Sequence, residues 1–401
     1  GGTGARAFAQ DTEVEVTTPS QDLYLKRRPA TGQFVDVPKD LLPLLEKKEQ
    51  AAAQFRTEAI GMLEELLAGK PTGQTAAEAT FKLAELYWED ARLKFLTATR
   101  RHQELLEACR QRTEACAETP KDPGLNLGPS EKLYAALVKD FPDFRRIDLV
   151  KYLLGFAARE GGRNEEAMSW FRRVIREHPA SPVLTDSWMM IGEYYFATGK
   201  HFAEARDAYA AVLEHPDAPS FDVALFKTAW CHWKLGDAKV AARLFKKVLD
   251  MADEAKRSGT AREQRLRAQL RDEALQYIIL LFTEDESVTA KDAYEFLASI
   301  DGERYSREVL TNLASAFFGQ GRYNRAVEAY QFLVDLDPRH RDAPKYQAQI
   351  VDSYLALDSP DDAIAAARVL AGKYLKGSDW NKENAQRTEW QGKVITDHQQ
   401  V

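Results

Sequence analysis

Gly162, Gly199 and Gly236 stand at one fixed interval, each 37 residues after the one before. A chain with that kind of period is built from copies of one small unit stacked on its neighbours. Seven places ahead of each glycine lies a small residue, Gly155, Gly192 or Ala229, within an apolar stripe. Behind each come an alanine and then an aromatic: Ala167 and Phe171, Ala205 and Tyr209, Ala241 and Phe245. The first two units close on His178-Pro179 and His215-Pro216. The order is helix, glycine turn, second helix, proline stop, since glycine accepts the positive φ of a helix end and proline cannot extend a helix.

The small residues allow two antiparallel helices to cross closely: Gly155 against Ala167, Gly192 against Ala205, with the aromatics filling the space one turn later. Trp188, Ile191-Gly192, Tyr195, Ala205, Tyr209 and Pro216 follow in an order that resembles the tetratricopeptide repeat (TPR). The unit here is longer than the usual 34 or so residues of that family, with one extra residue in the turn at Lys200 to Phe202. The resemblance implies an all-α fold, a right-handed TPR superhelix (α-solenoid) of about seven helix pairs whose first helices line the concave side.

Composition agrees with a folded chain: 44% of its 401 residues are hydrophobic and 29% charged, too apolar for disorder. The net charge of −7 is modest, and the Arg-rich stretch Arg262 to Arg271 also holds Glu263, which favours a solvated helix face over a nucleic-acid site. No run approaches the roughly 20 apolar residues of a membrane span. Ala7-Phe8-Ala9 has the small-x-small form of an export-signal cleavage site, so a mature chain beginning near Gln10 and working outside the cytoplasm is expected. Cys109 and Cys116 lie about 10 Å apart on an unbroken helix and can pair only if the helix ends between them. Cys231 reads as a small buried hydrophobe.

Residues 1–40 divide into the signal remnant and a polar arm broken by Pro19, Pro29 and Pro38. Residues 41–145 hold an N-terminal helix ending at Gly69 and a first repeat with a long insertion, its first helix running to about Cys116 and its second helix arriving only after the loop Pro120 to Pro129. Three regular repeats occupy 146–253. An irregular joint, the Met251 to Gly259 link and the charged Ala261 to Glu273 stretch, leads into 254–376, where a degenerate helix pair (Ala274 to Phe282, Ala290 to Ile300) and two further repeats follow, the last with Asp358 in the glycine position. Residues 377–401 form a polar tail with Trp380 and Trp390, loose or capping the last repeat.

No catalytic pattern emerges. The histidines form no HExxH pair, the adjacent Cys231 and His232 point apart on a helix, and Gly69-Lys70-Pro71 fails as a phosphate loop. Paired acids such as Glu165-Glu166 and Asp361-Asp362 sit at helix starts, where the helix dipole accounts for them. No catalytic residue, metal or cofactor is expected, and the chain reads as a non-enzyme.

On the superhelix that the resemblance implies, helical spacing places Tyr152, Phe156, Met189, Glu193, Phe196, Phe226, Trp230 and Trp233 on the concave wall, an apolar groove for a segment of another protein. The matching later positions, Glu308, Thr311, Ser315 and Phe318, are mostly polar. The run Glu177-His178-Pro179 through Asp186-Ser187-Trp188 to Ile191-Gly192-Glu193-Tyr194-Tyr195 is similar to repeats of bacterial envelope TPR families, those of the outer-membrane assembly lipoprotein BamD and the cell-division coordinator CpoB. The broader layout is similar to delta-proteobacterial TPR proteins that scaffold adventurous gliding motility. The resemblance implies a periplasmic scaffold or adaptor binding other envelope proteins through the groove, without nucleic acid or a membrane span. The alternative it leaves open is a module regulating peptidoglycan or outer-membrane assembly enzymes.

Overall fold

The structure, a computed structural model, describes residues 42–111, 123–254, 259–285 and 287–384. The signal remnant, the polar arm, Cys116 and Trp390 lie outside the described residues. All regular structure within them is α-helical. The described residues form two compact units that divide between Ala224 and Leu225, inside the third regular repeat of the block 146–253.

In the first unit a long antiparallel pair, α1 (Leu42–Ala68) and α2 (Gly73–Gln111), precedes α3 (Gly128–Asp140). Two regular hairpins follow: α4 (Ile147–Glu160) with α5 (Asn164–Glu177), and α6 (Leu184–Ala197) with α7 (Phe202–Leu213). Helix α1 ends before Gly69 as expected, and α2 runs far beyond the length of α3, so the insertion as far as Gln111 is an extended helix. Phe81 of α2 packs on Tyr134 of α3 at a ring distance of 6.0 Å and on Phe144 at 5.5 Å, which joins the irregular first repeat to the regular ones.

The regular hairpins share one contact. A Cβ added at Gly155 would lie 2.6 Å from Cε1 of Phe171, and one added at Gly192 would strike the Tyr209 ring closer still. Each aromatic ring of the second helix lies directly on the bare backbone of the first. The ring covers the glycine itself, where the spacing alone suggested a neighbouring hole. Gly162 and Gly199 turn the chain at φ +74° and +66°.

The second unit contains the C-terminal part of α8 (Phe221–Lys234), then α9 (Ala238–Glu254), α10 (Ala261–Glu284), α11 (Ala290–Ala298), α12 (Glu303–Gly319), α13 (Tyr323–Leu336), α14 (Ala343–Ala356), α15 (Pro360–Lys373) and the short α16 (Asp379–Asn384). Gly236 and Gly321 make the tight turns at φ +86° and +74°, and Asp358 adopts the same left-handed conformation at φ 54°. Aspartate is among the few residues that tolerate that region.

The expectation of an irregular joint at Ala261 to Glu273 is corrected here, because this stretch is the first half of one unbroken helix, α10. A capping box starts it: Thr260 Oγ1 accepts from the Glu263 amide at 3.3 Å, and Glu263 Oε2 accepts from the Thr260 amide at 2.7 Å. Together these satisfy two amides that a helix start leaves open. Arg271 then ties α10 to its neighbours, donating to Asp253 at 3.1 Å and to Glu308 at 2.7 Å. The irregularity falls on α11, nine residues long, which touches α10 through Phe282 and Phe296 and packs mainly on α12 and α13.

Trp380 closes the last repeat. It is 5% exposed, its indole N–H donates to the His340 carbonyl at 2.8 Å, and its ring stands edge-on to Tyr374 at 5.8 Å. The described part of the tail therefore caps the array.

A charged knot stiffens the α4/α5 hairpin. Lys151, 7% exposed, donates through Nζ to Glu177 Oε2 and to His178 Nε2, both at 2.7 Å. The Lys151 hydrogen bond, aided by Arg176 and Arg173, holds the Glu177 carboxyl down at about 2. Burial and then Lys151 lower the His178 value, which keeps the imidazole neutral and able to accept.

Two outcomes follow for stability. Gly192→Ala destabilises the fold by about 1–3 kcal/mol in chemical denaturation, because the Tyr209 ring has no room to move. Gly61→Ala, on an exposed turn of α1 with open space around it, is neutral or stabilising by up to about 1 kcal/mol. Equal effects at the two sites would refute the ring-on-backbone account. Because the folded Glu177 value lies below its ordinary 4.5, its contribution is present above that pH and is lost as pH falls toward about 2. The stability gap between wild type and Glu177→Gln, read by urea denaturation, is therefore widest above about pH 5 and narrows steadily in acid.

Candidate functional site

The eight residues expected to line a groove divide into two classes. Tyr152, Met189 and Phe226 are 1%, 0% and 3% exposed, and Phe156 is also buried. Tyr152 packs on Phe171 at 5.7 Å, Phe156 on Trp88 at 5.6 Å, and Phe226 on Phe245 at 5.6 Å. A side chain so enclosed presents no surface to a partner. The expectation that these four line an open groove is corrected: their helical spacing places them in packing between helices, where large apolar side chains contribute most to stability.

Glu193, Phe196, Trp230 and Trp233 keep part of their surface. In the first unit Glu193 accepts from the Tyr209 hydroxyl at 2.7 Å, and Phe196 stands edge-on to Phe202 at 6.0 Å and to Tyr209 at 6.3 Å. Both are bound up in their own hairpin.

In the second unit Trp230 and Trp233 project from the last turn of α8 as neighbours, three residues apart on one face. Their rings meet edge to face at 5.6 Å. Tyr277 of α10 completes the cluster, 5.2 Å from the Trp233 ring and 6.4 Å from that of Trp230, and is itself held by stacking on Phe245 at 5.3 Å and 9°. The Lys234 ammonium lies 4.6 Å from the Trp230 centroid and 4.2 Å from that of Trp233. At the rim, Trp233 Nε1 donates to Glu284 Oε2 at 3.0 Å. A half-exposed, preorganised aromatic surface with one carboxylate and one cation results.

Tyr277, Lys234 and Glu284 were not singled out from the sequence. Tyr277 comes from a helix whose first half reads as a joint, and its only signal is an aromatic within Ala274 to Phe282. The polar later positions have partners: Glu308 receives Arg271, and the Thr311 hydroxyl bonds the Tyr346 hydroxyl at 2.9 Å. Cys231 is buried and outside any disulfide, and Cys109 is disulfide-bonded. Among the described residues no group of three or more His, Cys, Asp or Glu side chains is placed to hold a metal, and no helix is long and apolar enough to cross a membrane.

Residues 130–182, 189–256 and 311–374 match the family model of the tetratricopeptide repeat. Among solved structures the chain is similar to the crystal structure of the P58(IPK) TPR domain, at 13% identity over 90% of this chain and 100% of that one, with a TM-score of 0.23. No curated protein matches the chain. The matched segments contain the glycine turns and the ring-on-backbone contacts described above, and over those residues the chain is similar to tetratricopeptide repeats.

Proposed function

We propose that the chain is a non-catalytic periplasmic adaptor of a bacterial cell-envelope machine, and that Trp230, Trp233 and Tyr277 form its contact with a partner protein. The observation that carries the reading is the aromatic cluster itself. Indole and phenol rings that keep part of their surface while their neighbours fix their orientation lose little entropy on binding, and such residues dominate interface energies. The disulfide at Cys109 supports an oxidising compartment, in keeping with the export-type Ala7-Phe8-Ala9. Among envelope machines, the similarity of layout to delta-proteobacterial scaffolds points to adventurous gliding motility.

Affinity purification of the full chain from envelope fractions tests the reading. Wild type recovers envelope proteins in stoichiometric amount, and the Trp230→Ala/Trp233→Ala double variant loses them by on the order of 30-fold or more, with its helical circular dichroism retained. Mass spectrometry of the native N-terminus finds cleavage after Ala9. Recovery confined to cytoplasmic proteins, together with an unprocessed N-terminus, would overturn the assignment of compartment. Undiminished capture by the folded double variant would overturn the assignment of the contact.

A further inference from the structure

The aromatic cluster already holds a ligand of a kind, its own lysine. Lys234 ends α8 and is exposed, yet its ammonium does not extend into water but sits within 4.6 Å of two indole faces at once. Among the described residues these faces are its only side-chain partners, with no carboxylate at ion-pair distance. The rings set nearly at right angles, 86° between Trp230 and Trp233, present two negative π faces toward one point. Tyr277 packs against the second ring, and Glu284, exposed and accepting from the Trp233 indole N–H, adds a carboxylate at the rim. Aromatic faces converging beside a carboxylate favour a cation over a neutral group of the same shape.

We propose that the Trp230/Trp233/Tyr277 cluster with Glu284 is a cation-recognition site for an arginine or lysine side chain on the partner polypeptide, and that Lys234 occupies it until the partner displaces it. This deepens the contact proposed above by naming its chemistry. Lys234 hangs at a helix end beside a glycine turn, Gly236 at φ +86°, and swings out by rotating its own side chain without disturbing the hairpin. An incoming guanidinium gains the same two faces and can also stack flat on one of them while donating to Glu284, which an ammonium cannot do in the same way. The resident lysine thus acts as a competitor that lowers affinity and rejects neutral or acidic segments.

The test uses the full chain, with the seven indole N–H signals of the protein followed by two-dimensional NMR and the two of interest assigned through Trp230→Phe and Trp233→Phe. The probe is a short uncharged glycine-serine peptide carrying one arginine, and the control carries citrulline, which has the same shape without the charge. Lys234→Gln is expected to bind the arginine peptide about tenfold more tightly than wild type, with saturable shifts of the Trp230 and Trp233 signals, and the citrulline peptide leaves both unmoved. Glu284→Gln in the Lys234→Gln background loses most of that gain. Equal response to the two peptides, or no gain on removing Lys234 in a variant that keeps its indole spectrum, would overturn the cation site. In that event, continued capture of envelope partners by wild type leaves the adaptor reading standing, so the two failures are distinguishable.

Discussion

The contact on which the repeats depend is an aromatic ring packed directly against a glycine backbone. Phe171 on Gly155 and Tyr209 on Gly192 each bring two antiparallel helices closer than any Cβ would allow. The same rings are among the fully enclosed side chains of the protein, so each hairpin gains both close backbone approach and the burial of a large apolar group from a single pair of residues. In the third regular repeat Ala229 takes the glycine position, and Phe245 contacts Phe226 and stacks on Tyr277. Tyr277, stacked on Phe245, in turn packs against the Trp233 ring of the aromatic cluster.

Where the repeat pattern lapses, polar networks replace it. Arg271 binds carboxylates from α9 and α12, and Asp250 receives Lys246 at 2.8 Å, Arg304 at 2.5 Å and the Tyr305 hydroxyl at 3.0 Å. The Glu308 bond holds the Arg271 value above its ordinary level. Isolated surface pairs contribute little, but bidentate and shared carboxylates that are partly screened from water orient the helices they join. The short α11 leaves room for α10 to reach α12, and these bonds determine how the two meet. Arg322 donates to the Thr283 carbonyl at 2.9 Å, and Arg325 donates to that of Val288, closing chain ends that a regular repeat would bury by itself.

Much of the fold was legible because its determinants are local. Glycine turns announce themselves at any position that requires a positive φ, and Gly162, Gly199, Gly236 and Gly321 all adopt one. Asp358 standing in for glycine was legible for the same reason. The helix α1, the overlong α2 and the delayed α3 follow from apolar spacing and from Pro/Gly breaks. The joint at Ala261 was misjudged because its charge density reads as loop, whereas the capping box and the long-range bonds of Arg271 make it helix. A capping pair spaced three apart, Thr260 and Glu263, was present in the sequence, but the partners of Arg271 were not readable there.

The candidate site was half legible. Helical periodicity put Trp230 and Trp233 on one face of their helix, and it equally put Tyr152, Phe156, Met189 and Phe226 on that stripe, although these are buried. Periodicity reports which way a side chain leaves its helix and says nothing of what stands opposite. By itself the sequence determined the repeat unit and its turns, because each is set by residues within one hairpin, whereas the seating of each ring on the glycine itself came from the structure. The tertiary structure alone decided which aromatics keep a free face and that Tyr277, Lys234 and Glu284 gather around two of them, because exposure and convergence depend on neighbouring helices far away in the chain.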